Sequence, residues 1–164
     1  MENEAAAPNL LVEPPRGRFP GRLDDKGRLK LPTDLQAYFA TLPERKLFVT
    51  SLDRRLAQIY PISVWRANEK VMFECLEHPD AARRIGFIAS DLGSEVEMDA
   101  QGRITLNPDL RRELGLENQG LHLNPSQNGK VEIMTDAIYE EEKRLAAQQK
   151  IAEDLDKLQR AGLK

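Results

Sequence analysis

Two arginines, Arg28 and Arg103, each follow a glycine directly and stand four residues after an aspartate. They lie in the stretches LDDKGRLKLP (residues 23–32) and MDAQGRITLN (residues 98–107). The spacing is constant, since 99 − 24, 102 − 27 and 103 − 28 all give 75. Turn formation explains the other residues of the pattern. Gly27 and Gly102 accept the positive φ of a tight turn, and Asp24 and Asp99 can bond their own backbone just ahead and pair with the nearby arginine. Neither role asks for arginine at the next position. A guanidinium carries five donors in a fixed fork, which fits the oxygens of a phosphate or O6 and N7 of guanine. A two-stranded ribbon is also narrow enough to enter the major groove of DNA, about 12 Å wide. The chemistry on offer is recognition of a polyanion rather than bond making.

The two turns differ in charge. Residues 16–30 hold Arg16, Arg18, Arg22, Lys26, Arg28 and Lys30 against Asp24 and Asp25, a local net charge of +4. Around Arg103 lie Glu95, Glu97 and Asp99, and no Lys or Arg occurs between Arg84 and Arg103. The first turn is therefore the expected DNA contact, with Arg28 as its main donor and Lys26, Arg22 and Lys30 steering. Arg103 is the weaker contact, satisfied by its own acidic neighbours. The chain as a whole carries −3, but charge within a Debye length of ~8 Å matters more at a contact than the total.

Other chemistries lack their residues. There is no Walker loop, no G-x-G-x-x-G, no G-x-S-x-G and no H-E-x-x-H. The carboxylate groups at Asp24–Asp25 and Glu140–Glu142 sit at a turn and on a polar helix, where nothing predicts the burial that tunes a catalytic acid. His78 and His122 are far apart, and Cys75 is the only cysteine, so no metal spacing and no internal disulfide is expected. We expect no catalytic residues, no cofactor, no metal and no small-molecule substrate. The single cysteine suits a reducing cytosol, no apolar run reaches the ~18 residues of a membrane span, and the acidic start is unlike a signal peptide.

What must position the turns is legible as a repeat. RLKL and RITL after each glycine alternate in the manner of half-buried strands, with residues 19–23 and 95–98 as short partners, so each repeat is expected to open as a hairpin. Thr33 and Gln36 form a capping box for the helix TDLQAYFA, while Asn107 and Pro108 start PDLRREL and Gly115 stops it. KLFVTS with AQIYP, and GLHLNP with KVEIMT, read as strand pairs at an offset of 133 − 59 = 74. A helix follows each, with Trp65 and Tyr139 at equivalent places, and PDAARRIGFIASDL reads as a connecting helix. The last helix places Ile138, Leu145, Ile151, Leu155 and Leu158 at helical spacing. It can lie on its own body or serve as a subunit or partner contact. Neither half has strands enough to close a core alone, so one intramolecular, pseudo-twofold assembly of interleaved hairpin units is expected.

The paired D-x-x-x-R signatures resemble those of the MraZ family of bacterial transcriptional regulators. Gly17, seven residues before the first aspartate, the LFVTS…IYP…W segment of residues 47–65, and VEI at 131–133 before a long helix support the resemblance, which covers residues 17–150. It implies an α+β fold, a pseudo-twofold swapped-hairpin β-barrel of the AbrB-like type, built from two βαββ-helix repeats with a long C-terminal helix. The expected partition is a flexible leader (1–15), a first AbrB-like repeat (16–76), a connecting helix (77–93), a second repeat (94–135) and the C-terminal helix (136–164). The resemblance further implies a cytoplasmic, nucleoid-associated protein whose ring-like homo-oligomer grips direct repeats of double-stranded DNA upstream of the cell-division and cell-wall gene cluster. Asp24, Lys26, Gly27 and Arg28 take the place of its DNA-facing loop. Pro20 and the leader depart from the family pattern. Two alternatives stay open: an antitoxin-like module of the same fold that binds a partner protein, and an oligomeric scaffold without a nucleic-acid role.

Overall fold

The computed structural model describes residues 12–164. Of the leader expected over 1–15, all but residues 12–15 lie outside the described residues. Strands β1 (Phe19–Gly21) and β2 (Arg28–Lys30) flank the first turn, followed by helix α1 (Thr33–Ala40), β3 (Leu47–Ser51), β4 (Ala57–Pro61) and α2 (Ile62–Glu74). Helix α3 (Pro79–Leu92) leads into β5 (Ser94–Val96), β6 (Arg103–Thr105), α4 (Pro108–Leu114), β7 (Leu121–Pro125), β8 (Val131–Thr135), α5 (Asp136–Ala147) and α6 (Ile151–Arg160). Each of the first four strands recurs 74 or 75 residues later, as 94 − 19, 103 − 28, 121 − 47 and 131 − 57 show.

The halves interleave through their strand pairing, all of it antiparallel. β1 lies along β7 with Phe19 opposite Leu123, and β5 lies along β3 with Val96 opposite Leu47. β4 and β8 join the halves, with Ile59 opposite Val131. The six-stranded order is β1-β7-β8-β4-β3-β5, while β2 and β6 form a separate two-stranded ribbon. Read from either end, the larger sheet meets equivalent strands in the same sequence, so its pseudo-twofold lies between β8 and β4.

This corrects the expected pairing of each turn's flanking strands with one another. β1 does not run along β2; within that hairpin only a bridge between Leu23 and Leu29 remains. The chain on either side of the turn departs for partners in the other half. Among the described residues the larger sheet therefore has two edges, β1 and β5, and no closed barrel is formed. Pro20 fits this placement, because a residue without an N–H is tolerated on an edge strand.

Alternation fixes which side faces inward. Leu29 and Leu31, with their equivalents Ile104 and Leu106, are buried, as are Leu35 and Leu110 on α1 and α4. They join Leu47, Val49, Ile59, Leu121, Leu123, Val131 and Ile133 in one core shared by both halves. Each such side chain contributes roughly 1.5–3 kcal/mol by leaving water, so both turns rest on a core to which both halves contribute. A second cluster packs Ile62 and Trp65 of α2 with Ala89 of α3 and Tyr60 of β4.

Helix ends follow the expected chemistry at α4, where Asn107 accepts from the Asp109 amide and Gly115 closes in the left-handed conformation. They depart from it at α1. There the N-cap is Pro32 with no side-chain cap, and Gln36 turns instead to donate to the Leu31 carbonyl at 2.7 Å. The expected long C-terminal helix is two helices with a break over residues 148–150. Leu145 and Ile151 are six residues apart, a step that leaves the stripe made by the other apolar residues. With the segment exposed, no packing holds the helix continuous there.

Candidate functional site

Each turn is built on its aspartate. Asp24 Oδ1 accepts from the amides of Lys26 and Arg28, both at 2.9 Å, and Oδ2 accepts from Arg28 Nε at 2.7 Å. Asp99 repeats the set, with the amides of Gln101 and Arg103 at 2.9 Å and Arg103 Nε at 2.8 Å. Gly27 and Gly102 take φ of +75° and +79°, and their amides donate to the carbonyls of Asp24 and Asp99. These donors favour the ionised carboxylate. The Arg28 amide above all, then the Arg28 guanidinium and the Lys26 amide, hold Asp24 down at about 2. The Arg103 amide leads the matching set that lowers Asp99.

The ribbon carries both arginines. In its register Arg28 lies opposite Thr105, Leu29 opposite Ile104, and Lys30 opposite Arg103. Directly opposed residues share a face. Leu29 and Ile104 therefore point into the core, and Arg28, Lys30, Arg103 and Thr105 form the outer face. The two turns are far apart in sequence and differ in local charge, yet the ribbon gathers both arginines with Lys30 on one surface. Each turn is also sewn to the other half, because Gly27 and Gly102 accept at their carbonyls from the amides of Leu106 and Leu31, at 3.0 and 2.9 Å.

The remaining basic residues spread out. Lys26 is exposed at the turn's tip, and neither it nor Lys30 has an ion-pair partner among the described residues. Arg22 lies on the other side of Leu23, near enough to Asp136 to favour its charged form. Arg18 stacks its guanidinium 5.2 Å from the ring centre of Tyr139, and Arg16 pairs with Glu13. Of the six, Lys26, Arg28 and Lys30 belong to the turn and ribbon.

Two residues of this site were not anticipated. The Arg111 guanidinium and the Gln36 amide lie where a Cβ on Gly27 and Gly102 would be. Their spacing, 111 − 36 = 75, is the repeat's own offset, so aligning the halves residue by residue pairs them, although it does not say what they touch. The equivalent aromatic places also diverge. Trp65 stacks on Phe48 with centroids 4.6 Å apart, whereas Tyr139 stacks on His122 at 3.9 Å. His122 Nε2 lies 2.7 Å from Asp136 Oδ1, and that bond is the main cause lowering Asp136. No cluster of metal-ligating side chains occurs among the described residues, and no helix of the described residues is long and apolar enough to cross a membrane.

Two interleaved halves that share a core and present one arginine-bearing ribbon define a tandem-repeat α+β protein. Curated relatives place it more narrowly. The chain is 38% identical over 98 residues to a protein of Acidobacterium capsulatum named transcriptional regulator MraZ, covering 60% of this chain and 66% of that one. Proteins with the same name in Thermomicrobium roseum and Actinobacillus pleuropneumoniae are 37% identical over 108 residues and 32% identical over 134. These alignments cover 64% and 81% of this chain, and 71% and 82% of the relatives. The chain belongs to the MraZ family. No family model matches it.

Proposed function

We propose that this protein is a sequence-specific, DNA-binding transcriptional regulator. The observation that carries the reading is the outer face of the β2–β6 ribbon, where Lys30 lies directly across from Arg103, with Arg28 two residues before Lys30 on the same strand and diagonal to Arg103. Like charges placed opposite one another cost a sheet stability. A polyanion laid over the ribbon reverses that cost, because each cation then meets a phosphate, and a fork left free on Arg28 reaches a base edge. Asp24 engages only Arg28 Nε, and among the described residues the two terminal nitrogens have no partner and can meet a ligand. The name borne by the relatives agrees with this chemistry.

The finer reading extends this to the whole assembly. The repeats over 16–76 and 94–135 are two AbrB-like swapped-hairpin units, opened into a sheet and a ribbon. Several copies form a ring-like oligomer that engages direct repeats upstream of the cell-division and cell-wall gene cluster, in the cytoplasm and on the nucleoid. Linked weak contacts multiply into useful affinity, which lets a chain of net charge −3 hold DNA. Arg28 is the leading contact, with Lys26, Lys30 and Arg22 steering, Asp24 and Gly27 shaping the turn, and Arg103 contributing less.

A titration of the full chain against the duplex upstream of its own gene, across a salt series, tests the proposal. Expected is retention that weakens with salt by a log–log slope of about −0.9 for each phosphate contacted, with a scrambled duplex binding less tightly. Absence of salt-dependent retention on both duplexes defeats it. One observation favours a second reading, a module that captures a protein partner: Ile151, Leu155 and Leu158 on α6 are exposed. A stoichiometric partner that copurifies and is lost on deleting α6, together with no DNA binding, would establish that reading instead.

A further inference from the structure

Each turn is clamped from behind by a side chain of the opposite half. Gly27 is buried, and the space that a Cβ would take there is filled by the Arg111 guanidinium. Arg111 is itself fixed twice, since Nε donates to the Leu106 carbonyl at 3.1 Å and Nη1 pairs with Glu117 at 2.8 Å. Leu106 in turn donates its amide to the Gly27 carbonyl. The contacts form a closed circuit from α4 through the end of β6 to the first turn. The second turn has the mirrored circuit: Gln36 on α1 covers Gly102, donates to the Leu31 carbonyl, and Leu31 donates to the Gly102 carbonyl.

We infer that Arg111 is a positioning residue for Arg28, and that the direction of the first turn's fork is set by the helix of the second half, with Gln36 doing the same for Arg103. Its consequence for binding rests on the DNA-binding reading above, whereas the clamp itself does not. Arg111 acts through the turn rather than on the ligand. Its side chain is 16% exposed against 28% for Arg28, and two of its nitrogens are already engaged within the protein. A glycine at position 27 thus meets two demands at once, a left-handed backbone and close approach of a guanidinium from another element.

Amide exchange in the full-length protein reads the clamp directly. Arg111→Ala is expected to speed exchange of the Lys26 and Arg28 amides about five- to tenfold, the loss of one net hydrogen bond, while the Gln101 and Arg103 amides keep their protection. Gln36→Ala should give the crossed result, loosening the second turn alone. Arg111→Gln, which supplies the side chain used at the equivalent place, should restore most of the protection. In titrations with the upstream duplex, Arg111→Ala should weaken binding without changing the salt slope. The double variant Arg28→Ala/Arg111→Ala should bind no worse than Arg28→Ala. Additive losses with the slope reduced by about one would make Arg111 a phosphate contact and overturn the inference. Equal loosening of both turns by Arg111→Ala would reduce it to a general stabiliser. If the wild type binds no duplex while the crossed exchange pattern holds, the DNA reading falls and the clamp stands.

Discussion

At equivalent places the first half stacks Phe48 on Trp65 and the second stacks His122 on Tyr139. Trp65, on α2, is buried in a cluster with Ala89 of α3, and Phe48 and Met72 pack against that cluster. Tyr139 is half-buried, flanked by Arg18 and Lys143, and its partner ring is tied to Asp136. α3, whose Ala89 and Leu92 are buried, lies over the first half, and the described residues offer the second half no equivalent cover. A covered stack selects apolar rings, while an uncovered one tolerates a histidine with a carboxylate on its rim. The turns teach the converse lesson. Their backbones and aspartates agree bond for bond, yet the clamp is a guanidinium on one and a neutral amide on the other. Duplicated geometry thus carries different side-chain chemistry wherever the surroundings, rather than the turn, decide.

The widest separation should come from the stacks. Trp65→Ala leaves a large void in a covered cluster and should cost about 3–5 kcal/mol, whereas Tyr139→Ala should cost about 1–2 kcal/mol, mostly the loss of stacking. Urea denaturation midpoints of the two variants measure both. Similar midpoints would mean that the second stack is as structural as the first.

The ribbon separates the halves by function. Arg28→Ala should weaken specific DNA binding by about 1–3 kcal/mol if its fork reaches a guanine, and Arg103→Ala should weaken it less. Lys30→Ala should instead lower affinity evenly across sequences and reduce the salt slope by about 0.9. Equal losses at both arginines would dissolve the ranking of the turns and leave one symmetric ribbon.

The glycines give a smaller contrast. Ala at position 27 or 102 must adopt a left-handed backbone, at about 1–2 kcal/mol, and in each case displaces the covering side chain. Gly27→Ala should be the worse by a few tenths of a kcal/mol, because moving Arg111 also disturbs its half-exposed pair with Glu117. Thermal or denaturant midpoints that rank the two in reverse would show that the Gln36 clamp is the tighter one.

Much of this architecture was legible along the chain, for reasons that mark where legibility stops. Alternation and offset gave β3, β4, β7 and β8, and local capping gave α4, because those signals are carried by neighbouring residues. Strand partnership was not readable in the same way. LDDKGRLKLP specifies a turn with equal force whether its flanks pair with each other or with the opposite half, and only burial of both halves' leucines in one core decides for the latter. The facing of Lys30 and Arg103 follows from that register and from nothing local. Gln36 illustrates the same limit: a glutamine three residues after Thr33 signals a capping box, but its amide donates to the Leu31 carbonyl instead and fills the space left by the missing side chain of Gly102. The break before α6 did have a local mark, the six-residue step from Leu145 to Ile151.

The finest difference between the turns lies in acid. With its pKa held at about 2 against an ordinary value near 3.9, Asp24 contributes stability that is fully present above the unfolded-state value and is lost as pH falls through the folded one. The window therefore runs from about pH 5 down to about pH 2, and within it protonation releases the amides of Lys26 and Arg28 and the Arg28 guanidinium together. Asp99 is lowered by the same set of bonds, so its turn loosens in the same direction. Carboxyl-carbon chemical shifts followed through an acid titration should place Asp24 near the bottom of the window, with the amide shifts of Lys26 and Arg28 moving in step. In Asp24→Asn that step should vanish from the first turn and persist in the second. An Asp24 that titrates near its ordinary value would mean that the turn is open in solution, and that Arg28 is aimed by something other than its aspartate.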